Sequence, residues 1–138
     1  MEDIRKLTEV IFSIGHKIGK KLFSECDMCD DLGFRDKAII DFISLKKKTM
    51  SEIAQEVNLT AGTVTVIIDK LVKLGYLDRE NDEEDRRKIY IILTKLGKIE
   101  YEKHLKARDK ASAVMLENLS EEEAKMLIIL LNKIGKNL

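Results

Sequence analysis

The chain has 138 residues, 44% of them apolar, which is enough for one compact core and too little for two. Lys plus Arg and Asp plus Glu both number 25, so the formal charge is zero and composition by itself gives no support to a polyanionic partner. The longest apolar run, Met126 to Leu131, is far short of the roughly 20 residues of a membrane-spanning helix, the start MEDIRKLTE lacks the apolar core of a signal peptide, and two cysteines are too few for a disulfide framework, so a soluble cytoplasmic protein is expected.

No proline occurs and no repeat is visible, so glycines and capping residues punctuate the chain. Ile4, Leu7, Ile11, Ile14, Ile18 and Leu22 recur at spacings of three and four and predict one amphipathic helix over residues 3–24. Gly15 and Gly19, four apart on one face, either permit a close helix crossing or merely loosen the helix. After an acidic connector around Cys26 to Gly33, Ala38, Ile39, Phe42 and Ile43 mark a shorter helix that stops near Lys46. Thr49 and Glu52 have capping-box spacing, and Ile53, Ala54 and Val57 supply the buried face of a third helix of about two turns. Beyond a break at Asn58 and Leu59, Thr60 can cap a fourth helix with Val64, Ile67, Ile68 and Leu71 turned inward, and Gly75 stands where a left-handed stop is wanted. Two helices joined in this way outline a helix-turn-helix.

Past Gly75 the period changes to two, so Tyr76–Glu80 and Lys88–Leu93 read as paired strands with Ile89, Ile91 and Leu93 on one face. The connector Asn81–Arg87 is wholly polar, so the hairpin should pack one face on the domain and expose its tip, as a wing does. Leu96, Ile99, Leu105 and Val114 mark a long helix from about Thr94 to Asn118. Ser120 with Glu123 opens a last helix whose stripe is Leu127, Ile128, Leu131 and Ile134. The expected fold is mainly α with a small β-hairpin wing: a winged helix-turn-helix lobe over 35–94, and long terminal helices over 1–34 and 95–138. Those helices carry more apolar stripe than a small lobe can cover, and pairing across a two-fold axis with a second copy would bury it.

With the fourth helix turned in this way, Thr60 at its cap and Ala61, Gly62, Thr63, Thr65, Val66, Asp69 and Lys70 are left on the outer face. That face has no Arg, Asn or Gln for a bidentate base contact, so reading DNA would rest on hydroxyls, methyl contacts with thymine and shape. The alternative is threonines that only fill a helix surface. Arg86, Arg87 and Lys88 at the hairpin tip are either solvated charges or a probe of the narrow, negative minor groove of A/T-rich DNA. Lys46, Lys47 and Lys48 form a second cationic triplet, a solvated face or a phosphate contact. Asp69 and Asp85 would repel phosphate unless occupied, and are expected to orient Arg87.

Cys26 and Cys29 lie in ECDMCDD, where the carboxylates disfavour a reactive thiolate. Two sulfurs make half a zinc site, which would need His16, His104, Glu25, Asp27 or Asp30 to complete it; plain connector cysteines and a reversible disulfide are the other readings. The sequence has no phosphate-cradling glycine loop, nucleophile elbow or paired metal-ligand motif, so neither an enzyme nor a cofactor is indicated.

Residues 50–98, MSEIAQEVNLTAGTVTVIIDKLVKLGYLDRENDEEDRRKIYIILTKLGK, resemble the DNA-binding core of the MarR family almost position by position. The most specific piece is Asp85-Arg86-Arg87 followed by Leu93-Thr94 and Gly97, while the flanking helices agree in length and pattern. The resemblance implies a homodimeric transcriptional regulator, by family habit a repressor, with recognition helices in successive major grooves of a palindromic duplex and wings over the minor grooves. It also implies a crevice between dimerisation helices and lobe, where an effector would alter the spacing of the recognition helices. The stretch Gly62-Thr63-Val64-Thr65 is similar to the branch that represses fatty-acid synthesis genes and responds to acylated carrier protein. A winged-helix module that binds only protein is the rival reading, and a metal- or redox-responsive regulator acting through Cys26 and Cys29 is the alternative within the class.

Overall fold

The computed structural model describes residues 1–25 and 31–136, so Cys26 and Cys29, with the zinc and disulfide readings that depend on them, lie outside the described residues. The elements in chain order are α1 (Glu2–Glu25), α2 (Phe34–Ile43), β1 (Lys48–Thr49), α3 (Met50–Glu56), α4 (Ala61–Lys73), β2 (Leu77–Asn81), β3 (Ile89–Leu93), α5 (Lys95–Leu116) and α6 (Glu121–Gly135). This is the expected helix, helix, helix-turn-helix, wing, two-helix order, with one addition. The two-residue strand β1 pairs with β3, Lys48 opposite Ile91, and makes the hairpin a three-stranded antiparallel sheet of order β1-β3-β2.

Local chemistry sets the boundaries. Thr49 Oγ1 accepts the Glu52 N–H at 3.2 Å while the Glu52 carboxylate accepts the Thr49 N–H at 2.9 Å, a closed capping box at the start of α3. Asn58, at φ 51°, turns the chain out of α3. Gly75, at φ 87°, ends α4, with its own N–H on Val72 O and the Tyr76 N–H on Leu71 O, so two of the last carbonyls of α4 are satisfied. Ser120 and Glu123 repeat the capping box at α6.

The chain forms two compact units, Glu25–Lys106 and the pair of segments Met1–Ser24 and Ala107–Leu138. In the first unit, Ile39, Ile40 and Ile43 of α2, Ile53 of α3, Val64, Ile68 and Leu71 of α4, and Leu77, Ile91 and Leu93 of the sheet form one buried cluster. The strand register, Leu77 opposite Leu93 and Asn81 opposite Ile89, puts Leu77, Ile91 and Leu93 into that cluster. Ile89 does not follow Ile91 inward as the alternation predicts; it is exposed, because β3 has there run out toward the wing tip.

Gly97 packs so tightly that an added Cβ would lie 2.1 Å from the Tyr76 carbonyl oxygen. Thr94 organises the same corner. Its hydroxyl donates to Gly75 O at 2.5 Å and accepts the Gly97 N–H at 3.1 Å, and its own N–H reaches Tyr76 O. The Leu93-Thr94 and Gly97 pattern is thus a clamp joining the start of α5 to the exit of α4.

Within the second unit, only Ala107 and Ala111 are buried among the described residues. Ile4, Leu7, Ile11, Phe12 and Ile14 of α1 are exposed, as are Met126, Ile128, Ile129, Leu130, Leu131 and Ile134 of α6. Among the described residues nothing outside the helix's own backbone lies within 4 Å of where a Cβ would stand at Gly15 or Gly19, so no described segment crosses closely there. Among the described residues no helix is long and apolar enough to cross a membrane.

Candidate nucleic-acid interface

α4 has one buried face and one bare face. Val64, Ile68 and Leu71 are fully buried, while Ala61, Gly62, Thr65, Val66 and Asp69 are exposed and Thr63 is half-buried. Thr60 caps the helix: its Oγ1 accepts the Thr63 N–H at 3.3 Å, and the two hydroxyls share a hydrogen bond at 2.9 Å. Thr65 spends its hydroxyl proton on Ala61 O at 2.9 Å, so its oxygen faces out as an acceptor. Val66, 69% exposed, is a large apolar side chain in the middle of a solvent face, and among the described residues nothing outside the helix's own backbone lies within 4 Å of where a Cβ would stand at Gly62. A face of small groups, a methyl pair and hydroxyls can approach the floor of a groove closely.

Two of the expected site residues are used elsewhere. Lys70, expected on the outer face, turns its Nζ back to Asp36 Oδ2 at 2.5 Å. Asp36 is buried in the first turn of α2, where the same oxygen also accepts the Gly33 N–H at 2.8 Å. The ammonium goes where a buried carboxylate lacks compensation, so Lys70 ties α4 to α2. Asp69, expected to orient Arg87, instead forms an ion pair with Arg79 of β2. Its position near the last turn of α4 faces the root of the hairpin, whereas Arg87 stands at the tip.

At that tip Arg86, Arg87 and Lys88 are exposed, the Arg87 side chain to 93%. Asp85 Oδ1 accepts the Arg87 N–H at 3.0 Å and lies 3.5 Å from Arg87 Nε. Four carboxylates, Asp82 to Asp85, precede the three cations, so the tip is not a simple basic patch. Asp82 and Asp85 are bound to their own loop, leaving the arginines less opposed than the sequence suggests. Of the first cationic triplet, Lys47 lies over the Tyr90 ring at 4.5 Å and Lys48 over Phe42 at 4.8 Å, so both ammoniums rest on aromatic faces beside the sheet.

His104 has a carboxylate at each of its ring nitrogens. It is buried, with Nδ1 2.9 Å from Asp41 of α2 and Nε2 3.1 Å from Glu100, one turn earlier on α5. Among the described residues no group of His, Cys, Asp and Glu could hold a metal ion, and His16 is exposed. Sequence reasoning missed Arg79, Asp82, Tyr90 and Asp36. The Asp82 spacing to Glu84 and Asp85, typical of an Asx turn, was the one local signal available.

A helix-turn-helix followed by a hairpin pinned to its second helix defines a winged helix. Residues 30–88 match the MarR family, and the solved structure of FabT from Streptococcus pneumoniae in complex with DNA superposes over 96% of this chain and 95% of its own, with a TM-score of 0.82 and 25% identity. A MarR family protein from Bacillus stearothermophilus superposes over 99% of this chain and 95% of its own, with a TM-score of 0.87 at 19% identity. The transcriptional repressor YetL of Bacillus subtilis is 34% identical over 88 residues, 64% of this chain and 53% of YetL, so the match spans about half the length of that relative. The chain has the winged-helix fold of these solved structures and is similar, over residues 30–88, to the MarR family.

Proposed function

We propose that the chain is a sequence-specific DNA-binding transcriptional regulator, acting as a homodimer and as a repressor. The observation that carries this is the ion pair between Asp69 and Arg79, which sets the root of the wing beside the bare face of α4. α4 then lies in a major groove, with Thr60, Ala61, Gly62, Thr63, Thr65 and Val66 toward the bases, while Arg86, Arg87 and Lys88 follow the phosphates into the neighbouring minor groove. Lys70 is left out of this set. The exposed apolar faces of α1 and α6 support a dimer, since a second copy related by a two-fold axis buries them. The repressor reading follows YetL and MdtR of Bacillus subtilis, both named as repressors.

Selection of duplexes from a randomised library by the purified protein, with sedimentation of the free protein, tests the proposal. An A/T-rich inverted repeat with half-site centres about one helical turn apart is expected, bound with steep salt dependence by a dimer. Absence of any salt-dependent duplex binding would leave a protein-interaction module in its place. A folded monomer at micromolar concentration would remove the two-fold geometry.

A further inference from the structure

The wing tip must hold two arginines outward beside four carboxylates, and between Asn81 and Lys88 it has no apolar residue to anchor it. Hydrogen bonds supply the order instead. Asp82 Oδ1 accepts the backbone N–H of Glu84 at 2.8 Å and of Asp85 at 3.2 Å, and the Tyr90 hydroxyl donates to the same carboxylate. These donors, Glu84 first, hold the Asp82 carboxyl below the usual carboxylate range, and the bond to Asp82 raises the Tyr90 phenol. The backbone closes the loop, with the Asp82 N–H on Lys88 O and the Lys88 N–H on Asp85 O, both at 3.0 Å. Asp85, so held, grips Arg87 through its N–H and its guanidinium.

At the other end Tyr90 is fixed in the sheet. It stands opposite Glu80 on β2 and Thr49 on β1, with the Lys47 ammonium over its ring. A continuous line of bonded groups therefore runs from Tyr90 through Asp82 and Asp85 to Arg87. We propose that Asp82 is the positioning residue of the wing, setting the direction of Arg87 from the sheet without touching DNA. This rests on the reading of the chain as a DNA-binding regulator.

Charge and geometry predict opposite signs at this residue. A carboxylate that merely stands near phosphate repels it, so removing it tightens binding. Removing one that shapes the tip weakens binding. Asparagine separates the two effects, because its amide oxygen still accepts from Glu84 and Asp85 without the charge.

The test uses the duplex that the wild-type protein selects from randomised DNA, with affinities measured for Asp82→Ala, Asp82→Asn, Arg87→Ala and the Asp82→Ala, Arg87→Ala pair. Asp82→Ala is expected to bind about fivefold or more weakly and to lose minor-groove protection where the wing lies. Asp82→Asn should bind as the wild type does, or tighter. In the Arg87→Ala background, Asp82→Ala should change affinity by less than about twofold. Unchanged or tighter binding by Asp82→Ala, or a full additive loss in the double variant, overturns the proposal. Should Asp82→Ala fail to fold, Tyr90→Phe removes one of the three donors and should weaken binding about twofold, with no loss overturning the proposal. Failure of the wild type to select any duplex defeats the DNA-binding reading itself, and the role of Asp82 with it.

Discussion

Asp69 of α4 and Arg79 of the first wing strand form an ion pair across the junction between α4 and β2. Both side chains are largely exposed, at 59% and 39%, so the pair contributes little to stability. Its value is positional, since it fixes the angle at which the hairpin leaves the helix.

Asp69→Ala should accordingly change the unfolding free energy by less than about 1 kcal/mol. Its effect on DNA affinity should match that of Arg79→Ala, and the two losses should not add, because each breaks the same pair. Operator affinity across the four proteins of the Asp69, Arg79 double-mutant cycle checks this, and fully additive losses would show that the pair does not set the wing.

Lys70→Met should cost about 1 to 3 kcal/mol of stability in urea unfolding, because Asp36 would lose its cation while remaining buried. The salt dependence of DNA binding should keep its slope. A slope reduced by about one would show Lys70 on a phosphate instead.

Gly97→Ala should lower stability by about 2 kcal/mol or more, since the new methyl group would collide with the backbone oxygen of Tyr76 and that atom cannot rotate away. Gly62→Ala is the control. Its new methyl group would meet nothing within 4 Å among the described residues, it stands on the exposed face of α4, and it should stabilise the free protein by up to about 1 kcal/mol. Thermal unfolding of both variants decides the matter, and equal effects would refute the clamp.

His104→Ala should cost about 3 kcal/mol or more, because Glu100, buried, and Asp41 would each lose a hydrogen-bonding partner. A metal chelator should leave the melting temperature of the wild type unaltered. A chelator-dependent drop that His104→Ala abolishes would instead make this a metal centre.

Features set by neighbours three or four residues apart were legible in the sequence. Thr49 with Glu52, Ser120 with Glu123, the Val64 to Leu71 stripe and the stop at Gly75 all depend on one turn of helix. Interactions between distant segments were not. Lys70 reaches a carboxylate 34 positions earlier and His104 one 63 positions earlier, and no spacing rule joins such residues. Asp69 was assigned the wrong arginine because the choice between Arg79 and Arg87 depends on how far the hairpin extends beyond the helix. β1 escaped notice because two residues have no period.

That short strand has a consequence for the mechanics of the lobe. Lys48 lies opposite Ile91, so the chain just before α3 is hydrogen-bonded to the second strand of the wing. With Asp69 and Arg79 linking α4 to the first strand, the hairpin is moored at both of its edges. It cannot hinge by itself without breaking a strand pairing on one side or a charge contact on the other. α3, α4 and the wing are thus tied to one another at three points, through β1, through the β2–β3 pairing and through the Asp69–Arg79 contact.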